Sequence, residues 1–388
     1  MNKKVGLVLA FKGTNYGALL QAYATQYIIE RLGYETEIID YMGKGIQYKM
    51  ILKRGALWSI LNMIVDKRRR AKINKKLVNP QFIINRNERK KISDDFRNRR
   101  LHRIVKLYDI KSLKEKSKEF DAVVIGSDQK WAPGACYGVL SSLSFVPKGV
   151  RRISYATSLG VSEYPKYCWY SSKKMWKEID YLSVREEQGA NIIKQICGDI
   201  DVSIVLDPTY LLTKEEWDEL VPVEKLNEQK YLFCFFLGND IESKKCARRY
   251  ADEHKLQLVS LFSNESLSEI DQSYADKLVS GASPEDFINW VRGAECVFTD
   301  SFHGTAFSVI NQKQFYVFYR KRDDVTQSRN SRIDNILSIW GLKDRLIMDK
   351  SIDWSSNKQQ SIDYLQVLPI LEAKRAFSFD FLKRALTF

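Results

Sequence analysis

Apolar residues recur along this chain in short runs of four to eight positions, separated by longer stretches with helical spacing. Short continuous runs bounded by turn residues are the signature of strands buried on both faces. Val5–Phe11 is the first, and it ends in Gly13-Thr14-Asn15-Tyr16-Gly17. Leu20, Ala24, Tyr27, Ile28 and Leu32 then share one helical face, and Gly33 closes the helix. Glu35–Tyr41 is a second strand, so the chain opens β-α-β and a parallel sheet is expected.

The pattern resumes at Ala122–Gly126, Arg152–Ala156, Tyr181–Val184 and Val202–Leu206. Thr213-Lys214-Glu215-Glu216 reads as a capping box that opens a helix. Val221–Lys230 is charged, contains Pro222 and lacks periodicity, which suits a link. A second series follows, with strands at Tyr231–Leu237, Leu256–Phe262, Glu295–Thr299 and Gln314–Tyr319. Ser283-Pro284-Glu285-Asp286 supplies an N-cap, an N1 proline and an acidic first turn. The expected architecture is α/β, two Rossmann-like domains facing a cleft, over residues 1–222 and 223–388. Ligands in such sheets bind beyond the carboxyl ends of the strands.

Charge changes this picture in one place. The chain of 388 residues carries 62 Lys+Arg against 48 Asp+Glu, a net of +14. Residues 44–118 alone hold 24 basic and 6 acidic residues, net +18, so the remaining 38 and 42 leave −4. This segment reads as an insertion of two or three basic amphipathic helices, one of them over Asp94–Lys106. Apolar Ala56–Val65, with Trp58, runs into Lys67-Arg68-Arg69-Arg70, a pattern that suits an anionic membrane surface over 56–118 or a solvated helical flank. A nucleic-acid partner is not expected, because the excess lies in one segment without a nucleic-acid motif. No apolar run is long enough to span a bilayer, and Lys12 interrupts the N-terminal run before a signal-peptide cleavage site could follow. The six cysteines are at least twelve positions apart, which argues for reduced cytosolic thiols and against a zinc site. No metal or cofactor is expected.

Five strand-end loops can carry chemistry. Gly13–Gly17 is either a plain tight turn or an anion cradle at a helix start. Gly126-Ser127-Asp128-Gln129, with Trp131, is either an Asx-type turn or a site for a hydroxyl-rich ligand. Arg185 at the end of Tyr181–Val184 can hold a carboxylate or phosphate, or pair with Glu186 or Glu187. Thr299-Asp300-Ser301-Phe302-His303-Gly304-Thr305-Ala306 is the strongest: hydroxyls at Ser301 and Thr305, close approach at Gly304, and a strand-end histidine, His303, able to titrate near neutrality. Arg320-Lys321-Arg322 ends the next strand and either completes an anion pocket or lies in an exposed loop.

Taken in order, these motifs resemble the polysaccharide pyruvyltransferase family. The matching pieces are Asn15-Tyr16-Gly17-Ala18 with Gln21-Ala22-Tyr23, Gly126-Ser127-Asp128-Gln129 with Trp131, Ser154 to Gly160, Ser183 to Glu186, Leu206-Asp207-Pro208-Thr209, Ser301-Phe302-His303-Gly304 and Ser331-Arg332-Ile333. The chain departs from the pattern at Lys130 and Ala132. The resemblance implies the fold of two-Rossmann-domain (GT-B) glycosyltransferases. It also implies transfer of a pyruvyl group from phosphoenolpyruvate onto two sugar hydroxyls as a ketal. His303 and Arg185 are then the catalytic pair. Ser301, Gly304, Thr305 and Arg320 or Lys321 would bind the donor. Asn15, Tyr16, Gly17, Gln21, Ser127, Asp128, Gln129 and Arg332 would bind a glycan or lipid-linked oligosaccharide acceptor. The site of action implied is cytoplasmic or the inner membrane face. A nucleotide-sugar glycosyltransferase and a non-catalytic family member are the competing readings.

Overall fold

The computed structural model describes residues 3–43, 80–133, 138–262, 273–320, 330–355 and 360–387. Two five-stranded parallel sheets dominate it. The first has the order β3-β2-β1-β4-β5, from β1 (Lys4–Val8), β2 (Glu35–Tyr41), β3 (Ile104–Leu107), β4 (Ala122–Ile125) and β5 (Arg151–Ser154). A two-stranded parallel pair, β6 (Ser183–Val184) and β7 (Ser203–Ile204), adjoins it through the Ile153–Tyr181 bridge. The second sheet has the order β10-β9-β8-β11-β12, from β8 (Tyr231–Phe235), β9 (Gln257–Leu261), β10 (Lys277–Val279), β11 (Cys296–Thr299) and β12 (Gln314–Val317). The central strands are apolar because both faces are covered by helices: β4 and β8 are buried at every residue.

In both sheets the strand order reverses next to the first strand, between β1 and β4 and between β8 and β11. These are the switch points where the connecting helices leave to opposite faces and open a crevice.

Helix caps follow the sequence signals. Asn15 caps α1 (Tyr16–Arg31) by accepting from the Ala18 N–H at 3.1 Å. Full capping boxes open α6 (Lys214–Leu220), from Thr213 and Glu216, and α8 (Pro284–Gly293), from Ser283 and Asp286. The helices between are α2 (Pro80–Arg100), α3 (Ile110–Ser117), α4 (Trp169–Lys177), α5 (Glu187–Cys197) and α7 (Ile241–Glu253). After α8 come α9 (Phe302–Ile310), α10 (Ser331–Trp340) and α11 (Tyr364–Leu386).

The expected helix over Asp94–Lys106 is corrected: α2 stops at Arg100 and β3 begins at Ile104. Arg103 takes the left-handed conformation (φ 52°), and Ile104 then pairs with Ile38 on β2. That pairing is non-local, and helical spacing could not show it. Several strands are shorter than their apolar runs; the first ends at Val8, not Phe11. Ala56–Val65, Trp58 and Lys67–Arg70 lie outside the described residues.

Two helices tie the sheets together. From α2, Arg89 donates to the Thr14 carbonyl at 3.1 Å and to the Phe262 carbonyl at 2.6 Å, with its guanidinium 3.9 Å over the Tyr16 ring. Arg97 reaches the Gly13 carbonyl, and Arg100 pairs with Glu285 at 2.8 Å. These arginines are therefore turned to the chain's own acceptors. Helix α11 starts on the second sheet's side, where Tyr364 donates to the Lys313 carbonyl at 2.5 Å. It finishes on the first, where Arg151 donates to the Ala385 carbonyl and Tyr34 to that of Leu386, both at 2.8 Å. Among the described residues no helix is long and apolar enough to cross a membrane.

Candidate active site

The two switch points face each other, and their loops meet around one carboxylate, Asp207. It follows β7 and begins the Asp207-Pro208 turn, where Oδ1 accepts from the Thr209 N–H at 3.1 Å and hydroxyl at 2.8 Å. Oδ2 accepts from Ser127 Oγ at 2.6 Å and from Arg185 Nη1 at 2.9 Å. His303 Nε2 stands 3.6 Å from the same oxygen, an ion-pair distance too long for a hydrogen bond. Burial acts to raise the Asp207 carboxyl, but His303, Arg185 and the Ser127 bond outweigh it and hold the group well below the usual range.

Arg185 extends from the end of β6 into this center and is buried. Its guanidinium lies 4.1 Å over the Phe302 ring, 3.4 Å from Glu186 Oε2 and 3.8 Å from Asp128 Oδ1. Burial opposes its charge; Glu186, Asp207 and Asp128 more than offset that, so it stays firmly cationic. Glu186 is fixed in turn, accepting at Oε1 from Ser158 Oγ at 2.5 Å and from the Leu159 N–H at 3.2 Å. The ion pair read for Arg185 forms with Glu186, and Nε and Nη2 make no hydrogen bond among the described residues.

His303 comes from the first turn of α9. Its ring passes so close to α1 that a Cβ at Gly17 would lie 2.1 Å from Nδ1. Gly17 is thus needed for the histidine to occupy this position. Gly304 is needed because a Cβ would meet Thr299 Oγ1 at 2.4 Å.

Two further arginines complete the cluster. Arg332, at the start of α10, is buried with Nε unpartnered among the described residues. Burial, then the nearby Arg185 and Arg320, pushes it down to about 9, still charged at neutral pH. Arg320 is anchored by donating to the Asp300 carbonyl at 3.1 Å, and its Nε, 3.4 Å from Asp300 Oδ2 as an ion pair, makes no hydrogen bond among the described residues. Asp300 in turn accepts from the Leu237 and Gly238 N–H groups, each at 2.7 Å, which fixes the loop after β8. Asn335 of α10 ties the two sides, donating to the Arg185 carbonyl at 3.3 Å and accepting from the Glu187 N–H at 3.1 Å.

The structure brings together Arg185, His303, Ser127, Asp128, Arg332 and Arg320, and it places other expected residues elsewhere. Tyr16 is corrected to an interface residue: it is buried, stacks on Phe287 at 5.4 Å and donates to the Ala282 carbonyl at 2.9 Å. Asn15 is occupied as the α1 cap. Gln21 is buried and donates to the Ala10 and Ala18 carbonyls at 3.2 and 2.8 Å. Ser301 caps α9 by accepting from the Gly304 N–H at 3.4 Å, so that N–H is not free for a ligand. Thr305 turns its hydroxyl onto the Ser301 carbonyl at 3.1 Å. Gln129 packs beside Gly160, where a Cβ would lie 2.9 Å from its Cγ. Lys321 lies outside the described residues. Asp207, Glu186 and Asn335 hold the site together although none was among the expected site residues; for Asp207 the signals were Asp207-Pro208 at a strand end and the Leu206-Asp207-Pro208-Thr209 motif.

The sequence model of the polysaccharide pyruvyl transferase family matches residues 15–322, which include the loops bearing Ser127, Asp128, Arg185, Asp207, His303 and Arg320 but not Arg332 or Asn335. No curated protein matches the chain. Among solved structures, a UDP-N-acetylglucosamine 2-epimerase is 12% identical over 100% of this chain and 96% of that one, with a TM-score of 0.54. The S. aureus MnaA–UDP co-structure is 14% identical over 99% and 97%, with a TM-score of 0.52. At these identities the likeness is one of fold, the GT-B arrangement of two Rossmann-like units.

Proposed function

The chain belongs to the polysaccharide pyruvyl transferase family, and on that premise we propose that it moves the pyruvyl group of phosphoenolpyruvate onto two hydroxyls of a glycan or its lipid-linked precursor. One observation carries this reading. Five buried donor atoms converge on one region with no hydrogen-bonded partner among the described residues: Arg185 Nε and Nη2, Arg332 Nε, Arg320 Nε and His303 Nε2. Four of the five stand 3.4–3.8 Å from a carboxylate, ion-paired without a hydrogen bond; buried donors that lack their hydrogen bonds are costly, and guanidiniums in mutual proximity repel. A ligand with both a carboxylate and a phosphate answers both problems, because planar guanidiniums match each group.

The chemistry follows from the arrangement. His303, protonated beside Asp207, gives its Nε2 proton to the enol methylene carbon. C2 becomes cationic and a sugar hydroxyl adds to it; the hydroxyl proton returns to His303. Asp128 is half-buried, and Arg185, His303 and Arg332 overcome its burial to keep it ionised. It orients the hydroxyl by accepting its hydrogen bond, while its low basicity leaves proton transfer to His303. The second hydroxyl then displaces phosphate. One C–O bond to phosphate breaks, two C–O bonds form, and the two hydroxyl protons end on the methyl carbon and the phosphate. No electron transfer is involved. Arg185, Arg332 and Arg320 hold the departing charge.

The test is phosphate release from phosphoenolpyruvate, with mass spectrometry of surface polysaccharide from cells with and without the protein. A mass increment of one pyruvate per repeat is expected, and His303→Ala and Arg185→Ala should each lose about 10³-fold. Near-normal turnover in either variant, or no binding of phosphoenolpyruvate, sinks the reading. Consumption of a UDP-, GDP- or CMP-sugar instead would assign a nucleotide-sugar donor.

A further inference from the structure

Asn335 makes two hydrogen bonds to one short stretch of backbone. Its Nδ2 donates to the Arg185 carbonyl at 3.3 Å, and its Oδ1 accepts from the Glu187 N–H at 3.1 Å. The amide thereby spans Glu186, whose carboxylate lies 3.4 Å from Arg185 Nε. Arg332 stands three positions earlier on α10, so the two side chains leave neighbouring points on one face of the helix. Arg332 is buried, and Arg185 and Glu186 are among the charges that act on it. The face that grips the Arg185 backbone is therefore the one that brings a second guanidinium to it.

The adjoining face of α10 is held differently. Ile333, Ile336, Leu337 and Trp340 pack it into the core, and Trp340 donates to the Tyr210 hydroxyl at 3.3 Å near the carboxyl end. Towards the amino end, the Asn335 bonds are the only hydrogen bonds or ion pairs from α10 to the first sheet's side among the described residues. Asn335 and Ile339, with Glu187, also line a cavity of about 590 Å³ between β7, α10 and α11, so this face meets open space where it is not bonded. Like charge on Arg185 and Arg332 favours moving the first turn of α10 away, and the two bonds of Asn335 oppose it.

We propose that Asn335 is a positioning residue that holds Arg332 beside Arg185 ahead of any ligand, so that the anion site exists before a phosphate or carboxylate arrives. The inference rests on the pyruvyl-transfer reading only for phosphoenolpyruvate as that anion; inorganic phosphate tests the site without it. A site formed in advance binds more tightly, in proportion to the fraction of molecules that already hold it.

Asn335→Ala removes both bonds and puts a better helix former on α10, so a loss of binding is not a loss of helix. Inorganic phosphate and phosphoenolpyruvate are titrated against wild type and the variant. Both dissociation constants should rise about 10-fold, as expected for two modest hydrogen bonds. Phenylglyoxal labelling of the native protein, read by peptide mass spectrometry, should reach Arg332 about 10-fold faster in the ligand-free variant. Arg89, buried on α2, should keep its wild-type rate, and saturating phosphate should slow Arg332 again. A residue that merely stabilised the fold would loosen both arginines. Unchanged affinity, unchanged labelling of Arg332, or equal acceleration at Arg89 overturns the proposal. A wild type that binds phosphate but not phosphoenolpyruvate counts against pyruvyl transfer, and the phosphate titration still decides on Asn335. A wild type that binds neither overturns the anion site and this proposal with it.

Discussion

Gly17 and His303 come from opposite ends of the chain, and the imidazole ring fills the volume that any side chain at position 17 would need: an added Cβ lies 2.1 Å from Nδ1 and 2.2 Å from Cγ. Gly17→Ala therefore displaces the histidine without changing any group that touches substrate. Displacements of about 1 Å cost on the order of 10²-fold in rate. A kcat loss of that order is expected, with phosphoenolpyruvate affinity altered much less; an unchanged kcat would show that the ring is free to move aside.

Asp207 is the one carboxylate shared by Arg185, Ser127 and the His303 ion pair. Replacing it by Asn removes one of the carboxylates that compensate the buried Arg185 guanidinium, with Glu186 and Asp128 remaining, at a cost of about 3 kcal/mol. Its carboxyl is held below its unfolded value of about 3.9, so the stabilisation is complete above about pH 4 and fades as the pH falls further. Urea denaturation should show a constant gap between wild type and Asp207→Asn at neutral pH, narrowing below pH 4.

Arg332 stabilises a ligand at the expense of the empty protein. Its folded value, about 9, lies below the unfolded one. The penalty is thus fully present below pH 9 and relieved as the pH rises above it. Arg332→Met should raise the melting temperature of the ligand-free protein at neutral pH. It should also abolish the gain from phosphoenolpyruvate, which for wild type is about 2.7 kcal/mol at 100-fold excess over Kd. A variant that melts lower and still gains from the ligand would contradict this.

Arg89 has a different task, with hydrogen bonds to carbonyls on both sides of the cleft. Arg89→Met leaves those carbonyls without their charged donor, a loss of about 3 kcal/mol. Calorimetry should register the lower stability. The pH profile of kcat should keep its shape, because Arg89 does not reach His303.

How much of this could be read from the chain depends on how local each cause is. Apolar runs mark β4 and β8, and the boxes at Thr213 and Ser283 form as their spacing dictates, because caps are decided within four residues. The loops bearing Arg185, Asp128 and His303 were recognisable, since strand ends are where such sheets bind ligands. Directions of side chains were not. Ser301 and Thr305 bond back onto their own helix, while Tyr16 reaches Ala282, far along the chain. Asp207 stood in the Leu206-Asp207-Pro208-Thr209 motif with no role attached, and only the meeting of β7 with the β4 loop and α9 makes it the center. β3 was hidden by its basic neighbours, because its strand pairing depends on a partner more than sixty residues earlier.

Helix α11 carries a consequence for how the molecule is made. The first sheet is laid down early in synthesis, yet Tyr34, Arg151 and the Leu206 N–H take their partners from Leu386, Ala385 and Ser378. Those partners are made after both sheets. The N-terminal portion therefore waits, unsealed, until α11 has been made, and a ribosome that stops short of α11 releases a chain whose opening fold has no lid.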